Sequence, residues 1–153
     1  FMVHAKSLGL SAVNFWAYDF AIKPSFDELW DVVRDFKWKH SPPIADMPER
    51  LIGRLNQHDT DLIAGLYLEN AAHVTGARTV VGRGPVKQWY QVLLKQLLPK
   101  AKFTMTGKSG TGSSRHFTWT AESDTGKVFD GNDTLGLRNG RIQYHYTYFT
   151  ITT

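Results

Sequence analysis

The sequence contains no cysteine, which excludes disulfide bonds, catalytic thiolates and zinc sites built on cysteine ligands. It also lacks any apolar run that approaches the roughly 18 residues of a membrane-spanning helix. The net charge is +4, but the lysines and arginines are scattered, so no basic patch for nucleic acid is visible. We therefore expect neither a membrane nor a nucleic acid as a partner.

The N-terminal residues lack the features of a signal peptide, which favours a cytoplasmic location. Residues 1–45 predict a helix at Phe1–Leu8, a strand at Ser11–Phe20 and a second helix at Phe26–Phe36. Ser25 starts a capping box at the beginning of that second helix. This helix–strand–helix order is the repeating unit of α/β barrels and doubly wound sheets.

The stretch GLSAVNFWAYDFA, followed by FDELWDVVRDFKW, resembles the last strand and helix of a glycosidase-type (β/α)8 barrel. The resemblance implies that Asn14, Trp16 and Asp19 are the remnant of a sugar site. Because one βα unit cannot close a barrel, we expect the chain to be the C-terminal piece of a larger protein. An N-terminal extension specific to the main domain is the alternative. The proline-rich stretch Lys39–Pro48 predicts a linker, with a domain boundary near Ala45.

From residue 46 the pattern predicts two helices, a small hairpin, a third helix and an antiparallel meander. The dipeptide Asn139-Gly140 is the strongest hairpin signal in the chain. The predicted helices span Pro48–Gln57, Thr60–Leu68 and Pro85–Leu98, and the predicted strands span Ala71–Thr75, Thr79–Val81, Ala101–Gly107, Arg115–Glu122, Lys127–Leu137 and Arg141–Thr152. This order predicts an α+β fold in which three helices cover one face of a curved antiparallel sheet.

Four segments resemble the SnoaL-like branch of the nuclear-transport-factor-like superfamily, and they occur in that family's order. They are LNQHDTD at 55–61, GLYLENA at 65–71, GRGPVKQWY at 82–90 and VFDGNDTLGLRNGRI at 128–142. The resemblance implies a cystatin-like cone, in which the sheet wraps around the helices and an open end leads to an apolar pocket. The family includes polyketide cyclases, ketosteroid isomerases, dehydratases and binding or assembly domains, so the fold alone does not select a function.

Strand alternation, aligned with this family, predicts which side chains line the pocket, because residues two apart share a face. We expect a small apolar or aromatic ligand, since aromatic walls with a few polar groups are typical of small-molecule sites. The expected ligand-binding residues are Tyr67, Thr75, Trp89, Tyr90, Phe117, Trp119, Asn132, Thr134, Gln143, Thr147 and Phe149. We expect no cofactor and no metal, because the scattered histidines lack a metal-ligand spacing.

The steroid-isomerase reaction needs three groups, and two of them are missing where the resemblance places them. Thr75 stands in place of the carboxylate base, and Leu51 stands in place of the tyrosine donor. Asn132 stands near the position of the second carboxylic acid, and Asp130 lies one step away on the same face. We therefore do not expect the steroid-isomerase mechanism.

The expected catalytic candidates are His73 and His145, assisted by Asp130. Two imidazoles that titrate near neutral pH can serve as acid and base in the cyclisation or dehydration of a carbonyl compound. The alternative is that each histidine is a hydrogen-bonded residue of the pocket wall.

Tyr144, Tyr146 and Tyr148 fall on the opposite face of the last predicted strand from His145. A half-exposed aromatic stripe is typical of an interface, so we expect a homodimer through this face. Three functions remain open. We favour a small-molecule-binding SnoaL-like domain that is accessory to a larger protein; the alternatives are a cofactor-free cyclase, isomerase or dehydratase, and a dimerisation module.

Overall fold

The computed structural model describes residues 44–153, in which Ala45–Thr153 form one compact unit. The predicted N-terminal helix–strand–helix segment, with Asn14, Trp16 and Asp19, lies outside the described residues. None of the helices within 44–153 is long and apolar enough to cross a membrane.

Short helices and longer strands make up the described part of the chain. The helices are α1 (Met47–Gln57), α2 (Thr60–Ala64) and α3 (Arg83–Val92), and α3 continues into a π-helical segment, Leu93–Leu97. The strands are β1 (Tyr67–Val74), β2 (Thr79–Val81), β3 (Lys102–Ser109), β4 (Ser114–Glu122), β5 (Lys127–Arg138) and β6 (Arg141–Tyr148).

The first helix begins and ends close to the predicted positions. The Asp46 carboxylate accepts a hydrogen bond from the Met47 amide, and a proline in the first turn costs no helical hydrogen bond. His58 follows the last turn with a left-handed backbone (φ 54°), a conformation that ends helices. The side chains of Leu51 and Leu55 are buried, where α1 packs against β3 and β4.

The predicted helix Thr60–Leu68 is shorter in the structure, because the chain turns into a strand. α2 ends at Ala64, and β1 begins at Tyr67, earlier than predicted. The Leu66 carbonyl accepts a hydrogen bond from the Ile142 amide, and β1 then runs parallel to β6. This pairing between distant segments overrides the helical periodicity on which the prediction rested.

The third helix changes its geometry before its predicted end. After Val92, the segment Leu93–Leu97 is π-helical, and a π-helical turn takes up one more residue than an α-helical turn. Leu98 is consequently fully buried, whereas Leu97 is 36% exposed. The π-helical turn therefore places Leu98 in the core, and not Leu97.

The strands form one sheet in the order β2-β1-β6-β5-β4-β3. Neighbouring strands are antiparallel, except that β1 and β6 are parallel. The predicted α+β fold is confirmed, although the sheet is mixed rather than wholly antiparallel. α1 and α3 pack against this sheet, and we refer to the face that they cover as the inner face and to the opposite face as the outer face.

Two irregularities in the sheet decide which side chains reach the inner face. In β5, two residues lie between Val128 and Gly131, opposite the single residue Thr120 of β4. In β6, Gln143 has no counterpart in β5. Each irregularity is a β-bulge, and an extra residue reverses the alternation of faces along the rest of the strand.

Candidate functional site

Five side chains with polar groups meet on the inner face, and each is at most 3% exposed. We refer to them as the polar core: Tyr67 and His73 of β1, Tyr90 of α3, Asp133 of β5 and His145 of β6. A buried polar group is costly unless it is hydrogen-bonded. The partners of each group therefore determine what the site can do.

Asp133 anchors the polar core through three hydrogen bonds. Its carboxylate accepts one from Nε2 of His145 at 2.9 Å, one from Nε1 of Trp119 at 2.9 Å and one from the Thr147 hydroxyl. Hydrogen bonds to a charged acceptor are about twice as strong as neutral ones. The carboxylate thus orients the His145 ring, with a proton on the nitrogen that faces it.

Two tyrosine hydroxyls extend this arrangement into a chain. The Tyr67 hydroxyl lies 2.6 Å from Nδ1 of His145, and the Tyr90 hydroxyl lies 2.7 Å from that of Tyr67. Burial raises the pKa of Tyr67 and of Tyr90 well above the usual range, so both hydroxyls keep their protons. When His145 carries its proton on Nε2, Tyr67 donates to Nδ1 and Tyr90 donates to Tyr67. This chain satisfies Asp133, His145 and Tyr67.

His73 differs from the rest of the polar core because its Nε2 has no hydrogen-bond partner in the structure. Parallel pairing of β1 and β6 sets His73 directly beside His145, with ring centroids 4.6 Å apart in an edge-to-face arrangement. Burial, followed by the nearby His145 and Arg78, lowers the pKa of His73 to about 2. His73 is therefore neutral near pH 7 and does not titrate there.

Trp89 closes the polar core on the side of His73. Its ring centroid lies 5.9 Å from that of His73, and only 9% of its surface is exposed. The Arg78 guanidinium lies over the Trp89 ring, 4.3 Å from the centroid, which is a favourable cation–π contact. Trp89 thus contacts the buried His73 ring and also the guanidinium of Arg78, a residue that is exposed.

Thr75 belongs to the turn that carries Arg78 and does not line the polar core. Its hydroxyl accepts hydrogen bonds from the amides of Ala77 and Arg78, which fixes the turn between β1 and β2. Thr75 is half-buried. The prediction that it lines a pocket is wrong, because β1 ends at Val74 and the chain has already turned.

The remaining aromatic candidates form an apolar wall beside Asp133. Trp119 packs against Phe149 at a centroid distance of 5.4 Å and against Phe103 at 5.6 Å. Phe117 is fully buried on the same strand as Trp119. Since Trp119 also donates to Asp133, this wall holds one side of the polar core in place.

The bulge in β5 makes three predicted positions wrong. Asp130 lies at the bulge, is exposed, and accepts a hydrogen bond from the Thr150 amide at 2.8 Å. Asn132 and Thr134 point to the outer face, where Thr134 bonds to His116. The extra residue moves Asp133 to the inner face instead, between its two expected neighbours.

The bulge in β6 has a similar effect on Gln143. Ile142 and His145 are both buried, and the two residues between them include the extra one. Gln143 is only half-buried at this bulge and takes no part in the hydrogen-bonded chain. Its predicted place in the pocket is therefore wrong, whereas His145 and Thr147 do reach the inner face.

Sequence reasoning missed Asp133, although one signal for it is present. Val128 and Leu135 are both fully buried, but an odd spacing cannot place two residues of a regular strand on one face. A bulge between them resolves the conflict and brings Asp133 inward. The carboxylate expected on this face was Asp130, and the structure places Asp133 there instead.

The polar core is closed in this structure. Tyr67, His73 and His145 are at most 1% exposed, and their contacts with one another fill the space where an open pocket was expected. A surface groove of about 430 Å³, lined in part by Asp124 and Phe129, involves none of the polar-core residues. Within residues 44–153, no group of three or more histidines and carboxylates is arranged to hold a metal ion.

No protein-family model matches the sequence, and no curated protein matches it. Solved structures do match. A hypothetical protein from Catenulispora acidiphila, with a ketosteroid isomerase-like fold and in complex with trimethylamine, aligns with a TM-score of 0.60 at 14% identity, over 72% of this chain and 88% of that one. A SnoaL-like protein of unknown function from Burkholderia thailandensis aligns with a TM-score of 0.58 at 12% identity, over 67% and 91%.

A third similar structure is an epoxide hydrolase/cyclase-like enzyme with a role in pyran ring formation in the polyether salinomycin. Its TM-score is 0.57 at 18% identity, over 65% of this chain and 84% of that one. Residues 45–153 therefore have the fold shared by SnoaL-like and nuclear-transport-factor-like proteins. The resemblance stated from the sequence is therefore confirmed at the level of the fold. The similar solved structures include proteins of unknown function as well as an enzyme.

Proposed function

We propose that residues 46–153 form a small-molecule-binding domain, in which His73 accepts a hydrogen bond from a small apolar or aromatic ligand. The observation that carries this proposal is the buried Nε2 of His73, which has no partner. Such a group costs about 1–3 kcal/mol of stability. A ligand that donates a hydrogen bond to it recovers that cost.

The protonation of the His73 ring supports an accepting role. In this proposal the neutral ring carries its proton on Nδ1, while Nε2 has no partner. A proton on Nδ1 leaves the lone pair on Nε2. With a pKa of about 2, the ring stays neutral and keeps that lone pair available.

The surroundings of His73 suit the apolar body of such a ligand. Tyr90 lies 5.6 Å from the His73 ring and Trp89 lies 5.9 Å from it. Aromatic rings around a single polar contact are typical of small-molecule sites. Because the core is closed, binding requires Trp89 to move aside. The complex of the Catenulispora acidiphila protein with trimethylamine is a small-molecule complex of the same fold, and it supports the proposal to that extent.

Phenol and toluene test the proposal, because they differ only by the hydrogen-bond donor. We expect phenol to raise the melting temperature of the protein more than toluene does, since only phenol satisfies Nε2. In His73→Phe we expect phenol to bind about tenfold more weakly, which is the worth of about one hydrogen bond. His116→Phe is the matched control, because His116 lies on the outer face. An equal preference for phenol in His73→Phe would contradict the proposal.

A cofactor-free cyclase, isomerase or dehydratase acting on a carbonyl compound is the second candidate. The chain from Asp133 through His145 to Tyr67 favours it, because such a chain can pass a proton to or from a bound molecule. General-base catalysis works best when the pKa of the base lies near the working pH. His73, with a pKa of about 2, is a weak base at neutral pH. Binding is therefore the better-supported function, and the catalytic role of His73 and His145 stays a prediction.

We also propose that the domain forms a homodimer through the outer face. Tyr144, Tyr146 and Tyr148 are 42%, 37% and 51% exposed. Their partners on the flanking strands carry no charge: Tyr144 pairs with Ala72 and Gly136, Tyr146 with Val74 and Thr134, and Tyr148 with Asn132. An uncharged aromatic face lets two copies meet without repulsion between like charges.

Sedimentation equilibrium tests the dimer. We expect Tyr146→Lys to be monomeric where the unchanged protein is dimeric, because the lysine would place a charge at the centre of the contact. Phe129→Lys is the control, since Phe129 is exposed but lies outside the tyrosine stripe. A monomeric unchanged protein would contradict this assignment.

A further inference from the structure

We propose that Arg78 selects ligands that carry a carboxylate, so that the site takes a small hydroxy acid whose hydroxyl reaches His73 and whose carboxylate reaches Arg78. The inference rests on the proposed binding function and adds the chemical class of the ligand.

Arg78 lies beside the same tryptophan as His73. Trp89 contacts both His73, at 5.9 Å between ring centroids, and Arg78, at 4.3 Å from its centroid to the guanidinium carbon. The imidazole and the guanidinium therefore both contact the same aromatic ring. A compact aromatic ligand that takes the place of the Trp89 ring would contact both groups.

The Arg78 guanidinium is accessible to a ligand. Arg78 is exposed. It forms no ion pair with the other residues of 44–153. Arg83, by contrast, binds the Tyr67 carbonyl at 2.8 Å and pairs with Glu69. Among these two arginines near β1, only Arg78 has its guanidinium available to a ligand.

The chemistry of the two recognising groups defines the ligand. A guanidinium presents a planar fork of donors that matches a carboxylate in a bidentate contact. His73 supplies a neutral acceptor at the inner end, which requires a donor such as a hydroxyl. The aromatic rings of Trp89 and Tyr90 suit an apolar body between the two ends. The matching ligand is a compact hydroxy acid with an apolar or aromatic body.

Calorimetric titration with 4-hydroxybenzoate, phenol and benzoate tests this inference. We expect 4-hydroxybenzoate to bind the unchanged protein about tenfold more tightly than phenol, since a charge-assisted bond adds about 1.4 kcal/mol. Arg78→Gln should remove that advantage and leave the affinity for phenol unchanged. His73→Phe should instead remove the advantage of 4-hydroxybenzoate over benzoate.

Arg141→Gln is the matched control, because Arg141 is exposed and β6 starts beside Tyr67, at the other end of β1 from Arg78. It should keep both preferences. If Arg78→Gln retains the preference for 4-hydroxybenzoate over phenol, or if the unchanged protein has none, the role of Arg78 is overturned while binding of phenol still supports the proposed function. If neither phenol nor 4-hydroxybenzoate binds, both are overturned.

Discussion

The inner and outer faces of the sheet both carry aromatic side chains with polar groups, which are buried on the inner face and exposed to water on the outer face. On β6, His145 is buried and makes hydrogen bonds to Asp133 and Tyr67, whereas Tyr144 and Tyr146 on the outer face are exposed. Water can satisfy the outer hydroxyls, so they cost little. On the inner face every unsatisfied donor or acceptor costs the full desolvation penalty.

This difference gives meaning to the missing hydrogen-bond partner of His73. Asp133, His145 and Tyr67 all have partners within the polar core, as buried groups normally do. Nε2 of His73 does not. On the outer face a nitrogen without a protein partner would imply no function, because water would form a hydrogen bond with it. On the inner face it is the observation that supports the proposed ligand contact.

Replacing a carboxylate on each face should give the largest contrast. We expect Asp133→Ala to lower the free energy of unfolding by about 3–5 kcal/mol, because it leaves the buried donors of His145, Trp119 and Thr147 without an acceptor. Asp130→Ala should have little effect, since Asp130 is exposed. Urea unfolding measures both. Equal losses in the two variants would show that the inner network contributes nothing special.

Adding a methyl group on each face should give a smaller contrast within β5. A Cβ on Gly131 would lie 2.3 Å from the Trp119 ring and 2.6 Å from its carbonyl oxygen, whereas a Cβ on Gly136 would lie 3.3 Å from that of Tyr144. We expect Gly131→Ala to cost about 2 kcal/mol through overpacking, and Gly136→Ala to cost less. Thermal unfolding of the two variants checks the order; a larger loss for Gly136→Ala would contradict it.

The pH dependence of stability should distinguish a histidine on each face. His73 has a pKa of about 2 in the folded protein and 6.5 as an ordinary histidine. Below pH 6.5 the unfolded chain therefore binds a proton at this residue and the folded chain does not. Its contribution lowers the free energy of unfolding by up to about 1.4 kcal/mol per pH unit as the pH falls from 6.5 towards 2, and is absent above that range.

His73→Phe should consequently flatten the loss of stability between pH 6 and pH 4, and it should cost little at pH 7 because Nε2 has no partner to lose. His116→Phe, on the outer face, should keep the slope of the unchanged protein. Urea unfolding across this pH range measures the slopes. The same slope in His73→Phe as in the unchanged protein would assign the acid sensitivity to another group.

Much of the fold could be predicted from the sequence, because local chemistry determines it. Asp46 and Asp59 cap the helices that directly follow them, and Asn139 and Gly140 adopt the positive φ angles of a tight hairpin. The parallel pairing of β1 with β6 could not be predicted in this way. It joins segments that are far apart in the chain, and parallel strands are not connected by a tight turn whose residues would predict the pairing.

The candidate site was predicted only in part, and the β-bulges explain why. His73 and His145 reach the inner face because β1 is regular there and β6 is regular beyond its bulge. Asp130 was expected on the inner face and Asp133 was not, because a prediction from strict alternation of faces does not allow for the extra residue of a β-bulge. The position of the bulge is set by the pairing of β4 with β5 and not by the sequence of β5 alone. The accessory role in a larger protein and the homodimer stay predictions.

The most direct test of the central claim is the ¹⁵N NMR signal of the His73 ring, recorded at pH 7 with and without phenol. The proposed function predicts that the free protein shows a neutral ring with a proton on Nδ1. It also predicts that phenol shifts the Nε2 resonance towards that of a hydrogen-bonded acceptor, while the His145 signals change less. A His73 signal that is already that of a protonated ring, or that does not respond to saturating phenol, would contradict the account.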